Sequence, residues 1–145
     1  MTAKLTPKIS VSPQIAPQDV AALAAAGFVA IINNRPDDEA AGQPAGAEIE
    51  AAAKAAGMSY VAIPVDHSGI GPHQLKAMAD ALAGATGPVL AYCRSGTRST
   101  HLWALAEASR GANVAELVSA AAGAGYDIAM MTPVLRQLAA GHEQG

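Results

Sequence analysis

The only cysteine of the chain begins a short polar segment, Cys93-Arg94-Ser95-Gly96-Thr97-Arg98. An apolar run precedes this segment and a helical pattern follows it, so the segment is predicted to connect a strand to the start of a helix. In such a loop the backbone N–H groups converge on the centre, and the helix dipole adds positive potential. A thiolate at the start of the loop is the reactive form of a cysteine. Cys93 is therefore a candidate nucleophile toward an anionic substrate.

The other residues of this loop have types that suit anion binding. Gly96 lets the backbone turn inward without a side chain in the way, and Arg98 offers a planar fork that matches two oxygens of an oxyanion. We also count Arg94 among the candidate binding residues, although alternation along the loop directs its side chain outward. The hydroxyl groups that can bond to the loop or to the thiolate belong to Ser95, Thr97 and Ser99. The competing interpretation is a buried cysteine followed by an ordinary polar turn.

Short apolar runs alternate with helical patterns along the chain, and these elements must position the loop. The predicted strands span residues 9–12, 28–32, 60–65 and 88–92, and the predicted helices lie at 16–26, 47–56, 72–84, 99–109, 114–122 and 133–139. This alternation is typical of an α/β fold with a mostly parallel central sheet flanked by helices. We find neither an internal repeat nor a linker, so residues 1–145 are predicted to form a single domain.

Three polar loops follow predicted strands, and the carboxyl ends of parallel strands carry the active sites of such folds. The loops begin at Asn33, Asp66 and Cys93, and we expect them to meet at one edge of the sheet. Asn34 and Arg35 are candidates for the rim of the pocket, with a solvated Arg35 in a turn as the alternative. Asp66 and His67 are candidates beside the substrate, with an ordinary turn and an exposed loop histidine as alternatives.

Composition limits the classes of function. The chain has 145 residues, a net charge of −3 and a pI near 5.7, which argues against a nucleic-acid binder with a broad basic face. No apolar run has the roughly 18 residues that a membrane span needs, and the first residues lack the apolar core of a secretory signal. We therefore expect a soluble cytoplasmic protein. The anion-binding character of the Cys93 loop, and not the composition, indicates a small anionic or phosphorylated substrate. The spacing of the histidines predicts no metal site, and we expect no cofactor. The oligomeric state stays open.

The segment 92–99 resembles two related signatures. One is the loop of single-domain rhodaneses, in which a Cys starts a six-residue cradle that ends in Arg, and the other is the Cys-x5-Arg loop of protein tyrosine and dual-specificity phosphatases. Segments 9–14, 31–37 and 63–66 are similar to the phosphatase-like domain of the beta-lactamase-hydrolase-like family, and this similarity extends over roughly residues 8–140. The resemblance implies a fold similar to that of dual-specificity phosphatases, and some members of the family are labelled sulfur transferases.

The resemblance also implies roles for individual residues. Cys93 would form a thiophosphate intermediate, Arg98 would bind phosphate oxygens, and Asp66, which lies 27 residues before Cys93, would act as general acid and then as general base. One feature departs from the phosphatase pattern, because four residues rather than five separate Cys93 from Arg98. The shorter loop suits a rhodanese-type sulfurtransferase with a persulfide on Cys93. Two alternatives to the phosphatase thus remain: the sulfurtransferase and a non-catalytic anion-binding module.

Overall fold

A five-stranded sheet forms the centre of the computed structural model, which describes residues 2–144 and the side chains of residues 2–142. The strands are ordered β1-β2-β5-β3-β4, and only β1 runs antiparallel to its neighbour among the described strands. Their bounds are β1 Ala3–Thr6, β2 Ile9–Ser12, β3 Ala30–Asn33, β4 Ser59–Ala62 and β5 Val89–Tyr92. The predicted α/β architecture with a mostly parallel sheet is confirmed.

Six α-helices cover the two faces of this sheet. They are α1 Val20–Ala25, α2 Gly46–Ala55, α3 Pro72–Gly84, α4 Thr97–Ser109, α5 Val114–Gly123 and α6 Thr132–Gln144, and 3-10 turns precede α1 at Pro17–Asp19 and α6 at Ala129–Met131. Within the described part of the chain, none of these helices is long and apolar enough to cross a membrane.

Alternation along the strands divides the core into two layers, since successive side chains of a strand point to opposite faces. Ile31 and Leu90 pack with α1 and α2 on one face, whereas Ile32 and Ala91 face α3 and α4 on the other. All four residues of β5 are buried, as expected for a strand with a parallel neighbour on each side and helices on both faces. The residue that follows β5 is therefore held at the centre of the molecule.

Helix α4 lies inside the helical layer and carries the polar loop at its start. Its buried positions include Leu102, Trp103 and Ala104, and it packs against both α3 and α6. Small alanine side chains let the neighbouring helices approach closely, which fixes α4 along its length. The first turn of α4, which includes the buried Ser99 and Thr100, is thus anchored in the helical layer.

The ends of the parallel strands are in register. Asn33 pairs with Tyr92 on one side and with Ala62 on the other, and Tyr92 also pairs with Ser12. The chain therefore leaves β3, β4 and β5 at the same edge of the sheet, as predicted. This register brings the segments after Asn33, Ala62 and Tyr92 together.

Several element bounds differ from prediction. Strand β1 was not predicted, β3 begins two residues later than expected, and β4 ends at Ala62 rather than Val65. Helix α6 extends beyond its predicted end at residue 139, to Gln144. The residues after β4 lie outside the regular strand, but the N–H groups of Ile63 and Val65 still donate to the carbonyl oxygens of Asn33 and Asn34 at the end of β3.

Candidate active site

Cys93 lies at the bottom of the cradle formed between β5 and α4. Its side chain has no exposed surface (0%), and its Sγ accepts a hydrogen bond from the Gly96 N–H at 3.1 Å. Gly96 caps α4 with a φ of 92°, in the left-handed region that favours glycine. The N–H groups at the start of a helix lack helical partners, and the Gly96 N–H is the backbone donor of this loop that the structure directs at the sulfur. The predicted strand-loop-helix setting of Cys93 is what the structure contains.

Arg98 lies on the first turn of α4 and binds a carboxylate that the sequence did not point to. Its Nη1 donates to Glu39 Oε2 at 2.7 Å, and its Nη2 donates to Glu39 Oε1 at 2.8 Å. Nη1 also donates to the carbonyl oxygen of Val65 at 2.7 Å. The guanidinium therefore links the cradle to the loops that follow β3 and β4. Its two-point grip on a carboxylate has the geometry with which arginine binds an oxyanion.

Arg35 forms the second cationic partner of Glu39. Its side chain is only 6% exposed, its Nε donates to Glu39 Oε1 at 3.0 Å, and its Nη1 donates to Gln14 Oε1 at 3.1 Å. The alternative of a solvated Arg35 is wrong. Hydrogen bonds from Arg98 and Arg35 hold the pKa of Glu39 at about 2, well below its ordinary value. Glu39 is thus a carboxylate at neutral pH, held between two guanidinium groups.

Asn34 is buried beneath the cradle, and the prediction that it lines the rim is wrong. Its side chain has no exposed surface (0%). Its Oδ1 accepts a hydrogen bond from the Ser99 hydroxyl at 2.8 Å, and its Nδ2 donates to the carbonyl oxygen of Ile63 at 2.9 Å. Asn34 therefore cross-links the ends of β3 and β4 to the first turn of α4. Ser99 bonds to this cross-link and not to the thiol.

Asp66 follows directly after Val65, the residue whose carbonyl group binds Arg98. Its Oδ1 accepts hydrogen bonds from the hydroxyl and, at 2.8 Å, from the N–H of Ser68. These two bonds, the hydroxyl bond above all, hold the pKa of Asp66 below its usual range. Asp66 and His67 are both exposed. The structure thus places an ionised carboxylate in an exposed turn one residue from a contact of Arg98.

The remaining loop residues form the outer wall of the cradle. Arg94, Ser95 and Thr97 are exposed. The Ser95 hydroxyl donates to Thr97 Oγ1 at 3.0 Å and accepts from the Thr97 N–H at 3.3 Å, so these hydroxyls bond to each other. The Arg94 carbonyl group accepts a hydrogen bond from the Gln14 N–H at 3.4 Å, which ties the wall to the loop after β2.

A cavity of about 590 Å³ lies beside the Asp66 turn. It extends between the start of α3 and the segment after Arg35, and it is lined by Pro36, Pro64, Asp66, Ser68, Gly69, Ile70, Gly71, His73 and Gln74. Asp66 lies in the wall of this cavity, one residue after Val65, whose carbonyl oxygen accepts a hydrogen bond from Arg98. Among residues 2–144, no group of three His, Cys, Asp or Glu side chains is placed to hold a metal ion.

Residues 2–110 match the family model of the beta-lactamase hydrolase-like protein, phosphatase-like domain. A beta-lactamase hydrolase-like protein of Agrobacterium fabrum is 40% identical over 108 residues, which are 74% of this chain and 25% of that protein. The chain thus spans about a quarter of the length of this curated relative. The family model ends before α5, although the resemblance was expected to reach about residue 140.

Solved structures agree with this match. A candidate phosphatase from Neisseria meningitidis superposes with a TM-score of 0.81 at 34% identity, covering 94% of this chain and 96% of its own. The active form of Tk-PTP superposes with a TM-score of 0.73 at 17% identity, covering 99% of this chain and 97% of its own. At this level of identity the superposition shows that the two chains share a fold.

Proposed function

The chain belongs to the family of phosphatase-like domains of beta-lactamase hydrolase-like proteins, and from that premise we propose that it is a phosphatase-type hydrolase that cleaves phosphoric monoesters through a thiophosphate on Cys93. The observation that carries this proposal is the cradle itself. A buried sulfur at the end of β5 accepts the Gly96 N–H, and a guanidinium on the next helical turn grips a carboxylate by two points. An oxyanion that replaces that carboxylate would bind over the sulfur.

In the first step the Cys93 thiolate attacks phosphorus, so that an S–P bond forms while the bond from phosphorus to the leaving oxygen breaks. Arg98 and the N–H groups of the loop stabilise the charge on the other phosphate oxygens. Arg98 must first exchange Glu39 for the substrate, because both of its Nη atoms bond to that carboxylate. Arg35 keeps Glu39 close by after the exchange, through its own bond to the same side chain.

Asp66 is the candidate for proton transfer. A phosphate dianion near an aspartate raises the pKa of its carboxyl group, because like charges disfavour ionisation. Asp66 would then leave Ser68, donate a proton to the leaving oxygen, and take a proton from the water that attacks the thiophosphate. That water breaks the S–P bond, which releases inorganic phosphate and restores the thiolate. Two features support this role: Asp66 follows Val65, whose carbonyl oxygen binds Arg98, and Asp66 lines the cavity described above.

The length of the loop favours a second candidate, a sulfurtransferase. Four residues separate Cys93 from Arg98, whereas the phosphatase pattern has five. Ser99 therefore stands where that pattern has its arginine, and its hydroxyl donates to Asn34. A narrow ring of donors suits the terminal sulfur of a persulfide. In that reaction the thiolate takes the outer sulfur of thiosulfate and releases sulfite, and cyanide then removes the sulfur as thiocyanate.

One set of variants separates these reactions. Wild type, Cys93→Ser and Arg98→Lys are assayed on p-nitrophenyl phosphate and on thiosulfate with cyanide. Arg110→Lys is the matched control, because Arg110 follows the other end of α4 and pairs only with Glu107 among the described acidic residues. We expect phosphatase turnover that Cys93→Ser abolishes and that Arg98→Lys lowers about 10²-fold, the usual cost of one lost oxyanion contact.

A phosphorylated Cys93 adduct, trapped by acid and detected by mass spectrometry, would establish the intermediate. Negligible phosphate release that is equal in wild type and Cys93→Ser would overturn the phosphatase. Thiocyanate formation that depends on Cys93 would then support the sulfurtransferase, and binding of phosphate with neither turnover would leave an anion-binding module.

A further inference from the structure

Tyr126 contacts the cysteine loop from a part of the chain outside the matched family segment 2–110. It lies just after α5, and its N–H donates to the carbonyl oxygen of Ala121 at 2.8 Å, which holds the backbone there. Its half-buried ring packs against the core, and its hydroxyl donates to the carbonyl oxygen of Ser95 at 3.0 Å. A side chain distant in sequence thus bonds to the backbone of the cradle.

The carbonyl group of Ser95 and the N–H of Gly96 belong to one peptide unit. In a trans peptide these two groups point in opposite directions. The carbonyl oxygen is held by Tyr126 at 3.0 Å, and the N–H donates to Cys93 Sγ at 3.1 Å. A rotation of this unit would break both bonds and turn a carbonyl oxygen toward the sulfur. The Tyr126 hydroxyl therefore opposes the rotation that would remove a donor from the sulfur.

Gly96 makes such a restraint useful. With a φ of 92° it occupies a region open mainly to glycine, and glycine interconverts between backbone conformations more easily than other residues. A Cβ built on Gly96 would lie 2.2 Å from the Tyr126 hydroxyl oxygen, so this oxygen sits directly against the Gly96 backbone. The glycine lets the backbone take the conformation that directs the N–H inward, and the tyrosine holds it there.

We propose that Tyr126 is a positioning residue that locks the Ser95–Gly96 peptide with its N–H on the Cys93 sulfur, and so stabilises the thiolate. Burial raises the pKa of Tyr126, and negative charge on Cys93 adds to the effect. The hydroxyl therefore remains a donor through neutral pH. The same lock serves phosphorus and sulfur chemistry, because both start from the thiolate.

The test compares wild type with Tyr126→Phe, which keeps the ring and removes the hydroxyl. The rate at which iodoacetamide alkylates Cys93 is measured against pH, and any adduct reports on this residue because it is the only cysteine. We expect the midpoint of the profile to move upward by roughly half a unit to one unit, as a hydrogen bond to a charged group weakens. Where phosphatase turnover is present, kcat should fall by the corresponding factor, about 3- to 10-fold, with little change in KM.

Thr132→Val is the matched control, since it deletes an exposed hydroxyl that donates to the carbonyl oxygen of Ala129, away from the cradle. Its alkylation profile should superpose on that of wild type. An unchanged midpoint in Tyr126→Phe would overturn the proposal even if turnover fell. That result would mean that Tyr126 supports the fold without stabilising the Cys93 thiolate. The alkylation readout needs no turnover, so its result stands apart from the fate of the proposed phosphatase.

Discussion

Glu39 and Arg98 form a two-point salt bridge across 59 residues of sequence, with N–O distances of 2.7 and 2.8 Å. The side chains of both residues are 25% exposed, and the second cation, Arg35, donates from Nε to Glu39 Oε1, the oxygen that also accepts from Arg98 Nη2. An internal carboxylate thus occupies both Nη atoms of Arg98. If Arg98 binds the substrate as proposed, Glu39 both restrains this guanidinium and competes with the substrate for it.

Replacing Glu39 with Gln should tighten the binding of inorganic phosphate. The amide keeps the shape of the side chain but removes the charge that competes for Arg98 and Arg35. We expect a Kd lower by about 3- to 10-fold, in line with the strength of one charge-assisted hydrogen bond. Isothermal titration calorimetry at fixed ionic strength measures it. Glu107→Gln, which removes the partner of Arg110, is the control and should bind as wild type does. Weaker phosphate binding in Glu39→Gln would mean that restraint of Arg98 outweighs competition.

The stability that Glu39 contributes should depend on pH in a defined window. Its pKa is about 2 in the folded protein, against an ordinary value of 4.5 that applies to the unfolded chain. A depressed carboxyl pKa gives stability that is fully present above about 4.5 and is lost as the pH falls toward 2. Urea unfolding of wild type and Glu39→Gln at pH 6, 4 and 3 measures this. The stability advantage of wild type over the variant should shrink steadily at the lower pH values. An advantage that stays constant from pH 6 to pH 3 would contradict the assignment.

Local signals in the sequence predicted most of the fold. Helix α3 was predicted at residues 72–84, its observed bounds, because Pro72 is suited to open a helix and Gly84 to end it. Strand β1 was missed because Ala3–Thr6 has only one buried residue and becomes a strand by pairing with β2. This strand forms through its pairing with β2, and the pattern of its own four residues does not indicate that pairing.

The candidate site was predictable only where it is continuous in sequence. Cys93, Gly96 and Arg98 lie in one segment, and this combination of residue types at this spacing predicts an anion-binding loop. Glu39 was missed because it binds Arg98 from a loop 59 residues away; its i,i+4 spacing from Arg35 was the available signal. Tyr126 reaches Ser95 across 31 residues, and nothing in its own neighbourhood marks it. Such pairings depend on how helices and loops pack, not on local pattern.

Replacing Asp66 with Asn should slow hydrolysis according to the leaving group. A general acid typically contributes 10²- to 10⁴-fold, and we expect a loss of about 10²-fold in kcat for phenyl phosphate, whose leaving oxygen needs a proton. The loss for p-nitrophenyl phosphate should be much smaller, because its leaving group departs without one. Asp80→Asn on the exposed face of α3, where Asp80 pairs with Lys76, is the control. Equal losses for both substrates would indicate that Asp66 acts on the structure of its turn and not on the leaving group.

Removing the Ser99 hydroxyl should destabilise the fold. Ser99→Ala leaves the buried Oδ1 of Asn34 without the hydroxyl donor that it now has at 2.8 Å. An unsatisfied buried acceptor costs about 1–3 kcal/mol, and urea unfolding monitored by the fluorescence of Trp103 measures it. Ser109→Ala deletes a hydroxyl on the same helix that donates to the Ala106 carbonyl oxygen in a half-buried place, so its loss should be smaller. Equal losses in the two variants would mean that water replaces the lost donor at Asn34.

Adding a methyl group to Gly96 should separate backbone strain from contact with Tyr126. Gly96 and Gly125 have similar φ values of 92° and 97°, but a Cβ on Gly125 would meet nothing within 4 Å, whereas one on Gly96 would lie 2.2 Å from the Tyr126 hydroxyl oxygen. Gly125→Ala therefore reports the cost of the left-handed backbone alone, and Gly96→Ala should lose about 1–3 kcal/mol more because of overpacking. Combining Gly96→Ala with Tyr126→Phe removes the oxygen and should recover part of that excess, a coupling that a double-mutant cycle of unfolding free energies measures. Additive losses would show that the loop moves away from Tyr126 and that the two residues are not held against each other.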